Sequence, residues 1–212
     1  MALIDDRDLL IHEPSLFLDA SSVATSVLSA TDGIVSSGTL FSSSSDFETP
    51  GIEFGYVVVV NGEALEVISR TDQNKIVVSK PRLLSTDTEI EPDTGSSLNL
   101  EVLTFARLIA EVQAWVLGAF GIDASDPVTP LDETAILNPE EVESLIALRT
   151  LARAFAAASA IAPTDSSLSQ RATLYAGLAA EARRQTKAVI DLDGDGIADA
   201  TRHLDVVSLK RS

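Results

Sequence analysis

Cysteine is absent from this 212-residue chain, methionine and tryptophan each occur once, and histidine occurs twice. Without cysteine there is no disulfide framework, no thiolate zinc site and no cysteine nucleophile. The histidines, His12 and His203, lie near the chain ends and read as ordinary surface or interface residues, so a histidine-based triad has little to draw on. Basic residues are scarce: 15 Lys and Arg face 32 Asp and Glu, for a net charge of −17. That balance argues against gripping nucleic acid by neutralising phosphates. The longest apolar stretch, near Ala154–Ala162, is alanine-rich and shorter than the roughly 20 residues a bilayer span requires. No membrane partner is expected from it. The opening MALIDDRDLLIHEPS is too acidic for a signal or transit peptide. Nucleophile-elbow, phosphate-loop and H-E-x-x-H motifs are all missing, and no enzymatic activity is expected.

What is present points to a folded, soluble chain. Hydrophobic residues make up 45%, enough for a core, which assigns the acidity to the surface. The composition changes near residue 97, from Ser, Thr, Gly, Val and Ile to Ala, Leu, Glu and Arg. Net charge follows: −11 over residues 1–97, −4 over 98–190 and −2 over 191–212. The expected fold class is α+β: a C-terminal three-helix bundle, an N-terminal small β-rich domain and an extended C-terminal tail. The expected domains are 1–97 (a β meander or barrel), 98–190 (helical core) and 191–212 (acidic turn and arm).

In the first part, Asn61-Gly62 separates two apolar runs and predicts a hairpin, because both residues tolerate positive φ. Lys75–Lys80 predicts another strand, ended by Pro81. Gly33–Ser42 reads as one or two strands interrupted at Gly38, Ser42–Asp46 as a solvated loop, and Asp19–Thr31 as either helix or strand. In the second part, Phe105, Leu108, Val112, Trp115 and Ala119 share one stripe of a helix over about 99–120, with Trp115 expected in the core. Asn138-Pro139-Glu140-Glu141 marks the start of a second helix. It carries Leu145, Leu148, Ala152 and Phe155 on one face, thinning at Ser159. Leu168, Ala172, Tyr175, Ala179 and Ala182 face inward on a third, and small residues on both helices predict a close approach.

One local motif could carry chemistry. Asp191, Asp193, Asp195 and Asp199 occupy positions 1, 3, 5 and 9 of a calcium-loop pattern, with Gly196 at position 6 and the Ile197 carbonyl at position 7. Calcium favours such a ring of hard oxygens around a sharp glycine turn. Position 12, where a carboxylate should close the site, is Arg202, and no second loop accompanies it. The alternative is a tight Asp-Gly turn whose side chains cap backbone N–H groups. Beyond calcium at this loop, no cofactor is expected.

The three helices, the QRATLY stretch (170–175) and the ending AVIDLDGDGIADATRHLDVVSLKR together resemble the head–tail connector, or adaptor, proteins of long-tailed bacteriophages and phage-like particles. The resemblance covers residues 98–212 and includes the Arg171-x-x-x-Tyr175 spacing ahead of the acidic turn. It implies a structural virion protein of the neck, made in the host cytoplasm. Such a protein forms a ring, twelve-fold in this family, that joins the portal to the tail and extends the DNA channel. The implied partners are the portal protein, a tail or stopper protein and further copies of itself, with double-stranded DNA passing through unbound. The C-terminal arm would dock on the portal or a neighbouring subunit through Leu204, Val206, Val207 and Leu209, with Lys210 and Arg211 meeting acidic surfaces. Alternatives are another neck or tail component, such as a stopper or tail-completion protein, and a calcium-dependent binding module built on 191–199. An acidic channel wall would let DNA slide without phosphate contacts.

Overall fold

A computed structural model of the chain describes residues 2–123, 125, 130–162, 164 and 166–204. Strands β1 (Thr25–Ser36), β2 (Thr39–Phe41), β3 (Val57–Val60), β4 (Glu63–Asp72), β5 (Lys75–Ser79) and β6 (Gly95–Thr104) close into an antiparallel barrel. Their order is β1-β2-β5-β4-β3-β6, and β6 closes the ring by pairing with both β3 and β1. The hairpins β1–β2 and β3–β4 turn at Ser37-Gly38 and Asn61-Gly62, with φ of 47° and 71°, and 48° and 86°. Positive φ at both central residues matches the right-handed twist of the flanking strands. Val58, Leu65, Val67, Ile76 and Val102 fill the barrel, and Phe47 and Ile52 from the β2–β3 connection plug it.

Helices α1 (Asp6–His12) and α2 (Leu16–Asp19) precede the barrel. After it come α3 (Ala106–Ala119), α4 (Pro139–Ile161), α5 (Ser166–Gln185) and a separate two-stranded sheet of β7 (Lys187–Ile190) and β8 (Ala200–His203). Although α4 is long and apolar enough to cross a bilayer by length and composition, its apolar residues Leu145, Ile146, Leu151 and Phe155 are almost fully buried in the protein.

This architecture overturns the expected arrangement of a C-terminal three-helix bundle attached to a β-rich N-terminal domain. The molecule is a closed six-stranded barrel with five helices that belong to both ends of the chain. Leu9, Leu16 and Phe17 from the N-terminal helices share one hydrophobic core with Val116, Leu145 and Phe155 from the later helices, and with Val57 and Leu103 from the barrel. The composition break near residue 97 falls inside β6, the strand that closes the barrel and leads into α3. Residues 99–104, expected as helix, are strand because Leu100 and Val102 point into the barrel while Asn99 is exposed. Phe17 meets Phe105 edge-on at 5.3 Å, where that strand gives way to α3.

Charged groups fasten the same junction. Asp5 caps α1 and exchanges a capping box with Asp8. The Asp6 carboxylate accepts from the Phe105 N–H at 2.7 Å and the Thr104 hydroxyl at 2.5 Å, so a side chain 99 residues away caps the start of α3. Fully buried Glu66 on β4 accepts from Arg7 Nε and Arg82 Nε, each at 2.5 Å. Arg7 also donates to the Arg82 carbonyl at 3.0 Å. An Arg–Glu–Arg triad therefore ties α1 and the segment after β5 to the barrel wall.

Candidate functional site

The acidic loop 191–199 is the connection of the β7–β8 hairpin. Its base is anchored to the rest of the fold: Leu137 N–H donates to the Val189 carbonyl at 2.8 Å, and Asp191 N–H to the Ala135 carbonyl at 2.9 Å. Asn138, expected to cap α4 with its side chain, instead clasps β7. Its carbonyl oxygen accepts from Val189 N–H at 2.7 Å, and its amide donates to the Lys187 carbonyl at 2.8 Å.

Within the loop, carboxylate oxygens of Asp191, Asp193 and Asp195 lie within 4.8 Å of one another. Gly194 and Gly196 adopt φ of 79° and 81°, which folds the loop back on itself. The Asp191 carboxylate accepts from the N–H groups of Gly194 and Gly196, both at 2.7 Å, and of Asp193 at 3.2 Å. These amides, Gly196 foremost, hold its pKa below the usual carboxylate range. Asp193 accepts from Asp195 N–H at 3.3 Å, and Asp195 from Ile197 N–H at 2.8 Å. Asp199 closes the base by accepting from Leu192 N–H at 2.7 Å. The Ile197 side chain is exposed.

Backbone capping thus accounts for one function of every aspartate in the loop. Three carboxylates remain converged on a common point, with Asp193 and Asp195 exposed. The donor set fits a calcium loop in part: a hard cation wants six to eight oxygens. Arg202, at the closing position, supplies none and turns elsewhere. Its Nη1 donates to the Phe120 carbonyl at 2.6 Å and the Gly121 carbonyl at 3.0 Å. A Cβ at Gly121 (φ 69°) would sit 2.6 Å from that nitrogen. The residue that breaks the calcium pattern therefore fastens β8 to the end of α3.

Of the arm residues, Leu204 is partly buried against the shared core. Val206, Val207, Leu209, Lys210 and Arg211 lie outside the described residues. Arg171 and Tyr175, the pair marked by the connector resemblance, converge on the N-terminal segment. Arg171 Nη1 bonds the Ser15 hydroxyl and, at 2.5 Å, the Asp19 carboxylate. Tyr175 donates to Glu13 at 2.8 Å, and its ring stacks on Phe155 at 5.6 Å. Burial first, then the Glu13 carboxylate, pushes the Tyr175 phenol up to about 12.

Two other expectations change. Ser42–Asp46 is a loop with Ser43 and Ser44 exposed, as expected, but Ser42 and Ser45 are buried, and Ser42, Ser43 and Ser44 gather on one carboxylate. The Ser42, Ser43 and Ser44 hydroxyls all donate to Asp32 on β1, at 2.5, 2.7 and 2.8 Å, and Asn74 donates to the Ser45 carbonyl at 2.6 Å. Those hydroxyls hold the Asp32 pKa well below the ordinary carboxylate value. Trp115 is not a core residue: it is 39% exposed, with the Arg149 guanidinium 3.5 Å from its ring centroid and Arg183 at 5.7 Å. The α3 stripe that is buried runs through Ile109, Val112, Val116 and Phe120, rotated away from Trp115. The sequence holds both stripes at helical spacing, and packing of α3 against α4 decides between them.

No family model, curated protein or solved structure matches this chain.

Proposed function

We propose that this chain is a non-enzymatic structural protein of a bacteriophage neck, a connector that assembles with copies of itself, joins the portal to the tail and extends the DNA channel. The observation that carries the reading is the sheet formed by β7 and β8. Among the described residues β8 pairs with β7 alone. Its other edge offers unpaired N–H and C=O groups just ahead of residues 205–212, which supports strand addition by a partner. The hairpin is anchored at its base through Asn138 and Arg202, so the edge is held ready without the partner. A net charge of −17 suits a conduit wall that must not retain DNA. Removing residues 205–212 tests the reading. Binding to the portal ring of the same particle, followed by electron microscopy, is expected to be lost while the melting temperature is unchanged. Full binding by the shortened chain overturns it.

A second reading, calcium held by the hairpin loop, is favoured by the convergence of Asp191, Asp193 and Asp195. Calorimetry with calcium should then show heat that disappears in the Asp193→Ala/Asp195→Ala variant. No heat, together with a melting temperature indifferent to chelator, removes it.

A further inference from the structure

We infer that the arginine-rich groove between α4 and α5 receives the acidic 83–93 loop of a second copy of this chain. The inference rests on the self-association part of the connector reading and names the surfaces that would perform it.

The groove is a positive patch on a strongly acidic protein. Arg149, Arg153 and Arg183 line a cavity of about 270 Å³ together with Ala156, Ala176 and Ala180. Burial first, then the Arg183 and Arg153 charges, lowers the Arg149 pKa. The Arg149 guanidinium carbon sits 3.5 Å from the Trp115 ring centroid and Arg149 makes no ion pair among the described residues, while Arg153 shares Glu111 with Arg107. The small alanine side chains leave room for side chains from outside, and the half-exposed Trp115 ring lies against Arg149 beside the cavity.

The 83–93 loop has the opposite character. It carries Asp87, Glu89, Glu91 and Asp93, and it exposes Leu83, Leu84 and Ile90 at 76%, 58% and 49%. It is pinned at two interior points. Arg82 donates to the Asp87 carbonyl at 2.6 Å, and Lys80 N–H to the Ile90 carbonyl at 2.9 Å. The loop is therefore presented as a formed surface, so docking would cost little ordering entropy. Glu89 and Glu91 have no ion-pair partner among the described residues. Acids beside exposed aliphatics on one surface match arginines beside alanines and an indole on the other. A contact between two different surfaces of identical chains is heterologous, the kind that propagates around a ring when its rotation closes.

The absence of cysteine makes the test direct. Ala156→Cys in the groove and Thr88→Cys in the loop, both at exposed positions, are made as separate variants of the full chain. They are mixed under mild oxidation and read on a non-reducing gel. The expected result is a disulfide dimer formed in the mixture in preference to either variant alone. It should be lost when the groove partner also carries Arg149→Glu and Arg183→Glu. It should also be lost in about 0.5 M NaCl, where the screening length shrinks to roughly 4 Å. Circular dichroism of the charge-reversed chain checks that it is folded, and reversal of Glu89 and Glu91 to Arg in the loop partner should restore the dimer. Sedimentation separates the failures. A chain that self-associates yet gives no preferential cross-link, or one indifferent to charge reversal, overturns this pairing and leaves the connector reading standing. A chain that stays monomeric at every concentration and cross-links nowhere overturns the pairing and its premise together. Inorganic phosphate that binds the groove without competing with the cross-link also overturns it.

Discussion

The Tyr175 hydroxyl on α5 donates a 2.8 Å hydrogen bond to the Glu13 carboxylate, joining residues 162 positions apart. Glu13 also accepts from the Ser15 hydroxyl at 2.8 Å, and Arg171 bonds Ser15 and Asp19 beside it. One turn of α5 thus holds the segment between α1 and α2 against the helical layer. Residues 2–20 are part of that layer.

Tyr175→Phe removes the hydroxyl while keeping the ring stacked on Phe155. The expected loss is about 1–2 kcal/mol, the range for a partly buried bond to a charged acceptor. Glu13→Ala should cost at least as much, since it also leaves the Tyr175 hydroxyl without its acceptor. Urea denaturation midpoints read both. If the tyrosine variant matches the parent, the contact is not holding the N-terminal segment.

Glu66→Ala is expected to be far more damaging. The variant leaves Arg7 and Arg82 buried with their positive charges uncompensated, at a cost of about 3–5 kcal/mol. Replacing all three residues by apolar ones of similar size should recover much of that loss, because the desolvation cost of the ions goes with them. Thermal unfolding of the single and triple variants distinguishes a triad that stabilises from one that only requires completion.

Features set by neighbouring residues were legible in the sequence. The Asn61-Gly62 hairpin, the Pro139 helix start and the Asp-Gly turn each depend on a few adjacent positions, and each occurs where its residues stand. Features set by distant pairing were not. β6 lies against β1 with Leu28 opposite Val102, and nothing local to either strand announces the other. The Asp5-x-x-Asp8 box that starts α1 is a local signal of the same kind as the Pro139 helix start. At the hairpin loop, the spacing of the acids was visible. The docking of Arg202 on Phe120 and Gly121 needed the third dimension. The arginine groove was hidden for a similar reason: Arg149 and Arg153 are four apart on α4, but Arg183 and Trp115 reach them only through packing.

Within the hairpin loop the aspartates are expected to divide by role. In chelator, Asp191→Ala should lower stability by about 1–2 kcal/mol, because three loop N–H groups lose their acceptor. Asp193→Ala and Asp195→Ala, each exposed and accepting one weaker or peripheral bond, should stay within about 0.5 kcal/mol of the parent. Unfolding midpoints in the presence of chelator check the order. Equal losses at all three positions would mean that the loop is held by its whole acidic ring rather than by Asp191.

The pH dependence of stability follows from α1. Burial pushes the Asp6 carboxyl up from 3.8 to about 6, although its bonds from Thr104 and Phe105 pull the other way. Burial, then the Asp8 charge, also pushes Asp5 up to about 6. A carboxyl raised on folding keeps its proton in the native chain over a range where the unfolded chain has released it. Its favourable contribution is complete below the unfolded value near 4 and disappears as pH rises through about 6. For Asp6 the difference amounts to about 3 kcal/mol. Carboxylates held low, such as Asp32, Asp46 and Asp191, act in the opposite direction but in a more acidic window, below the ordinary carboxylate value. The unfolding free energy should therefore fall between about pH 4 and pH 6.5 and then level off. Asp6→Asn keeps a carbonyl to accept the Phe105 N–H and removes the titration. Denaturant melts across that range should show a shallower fall in the variant and a smaller stability deficit near neutral pH. Identical slopes in the two proteins would show that Asp6 is already ionised in the acidic range, and that its cap on α3 is held at no cost.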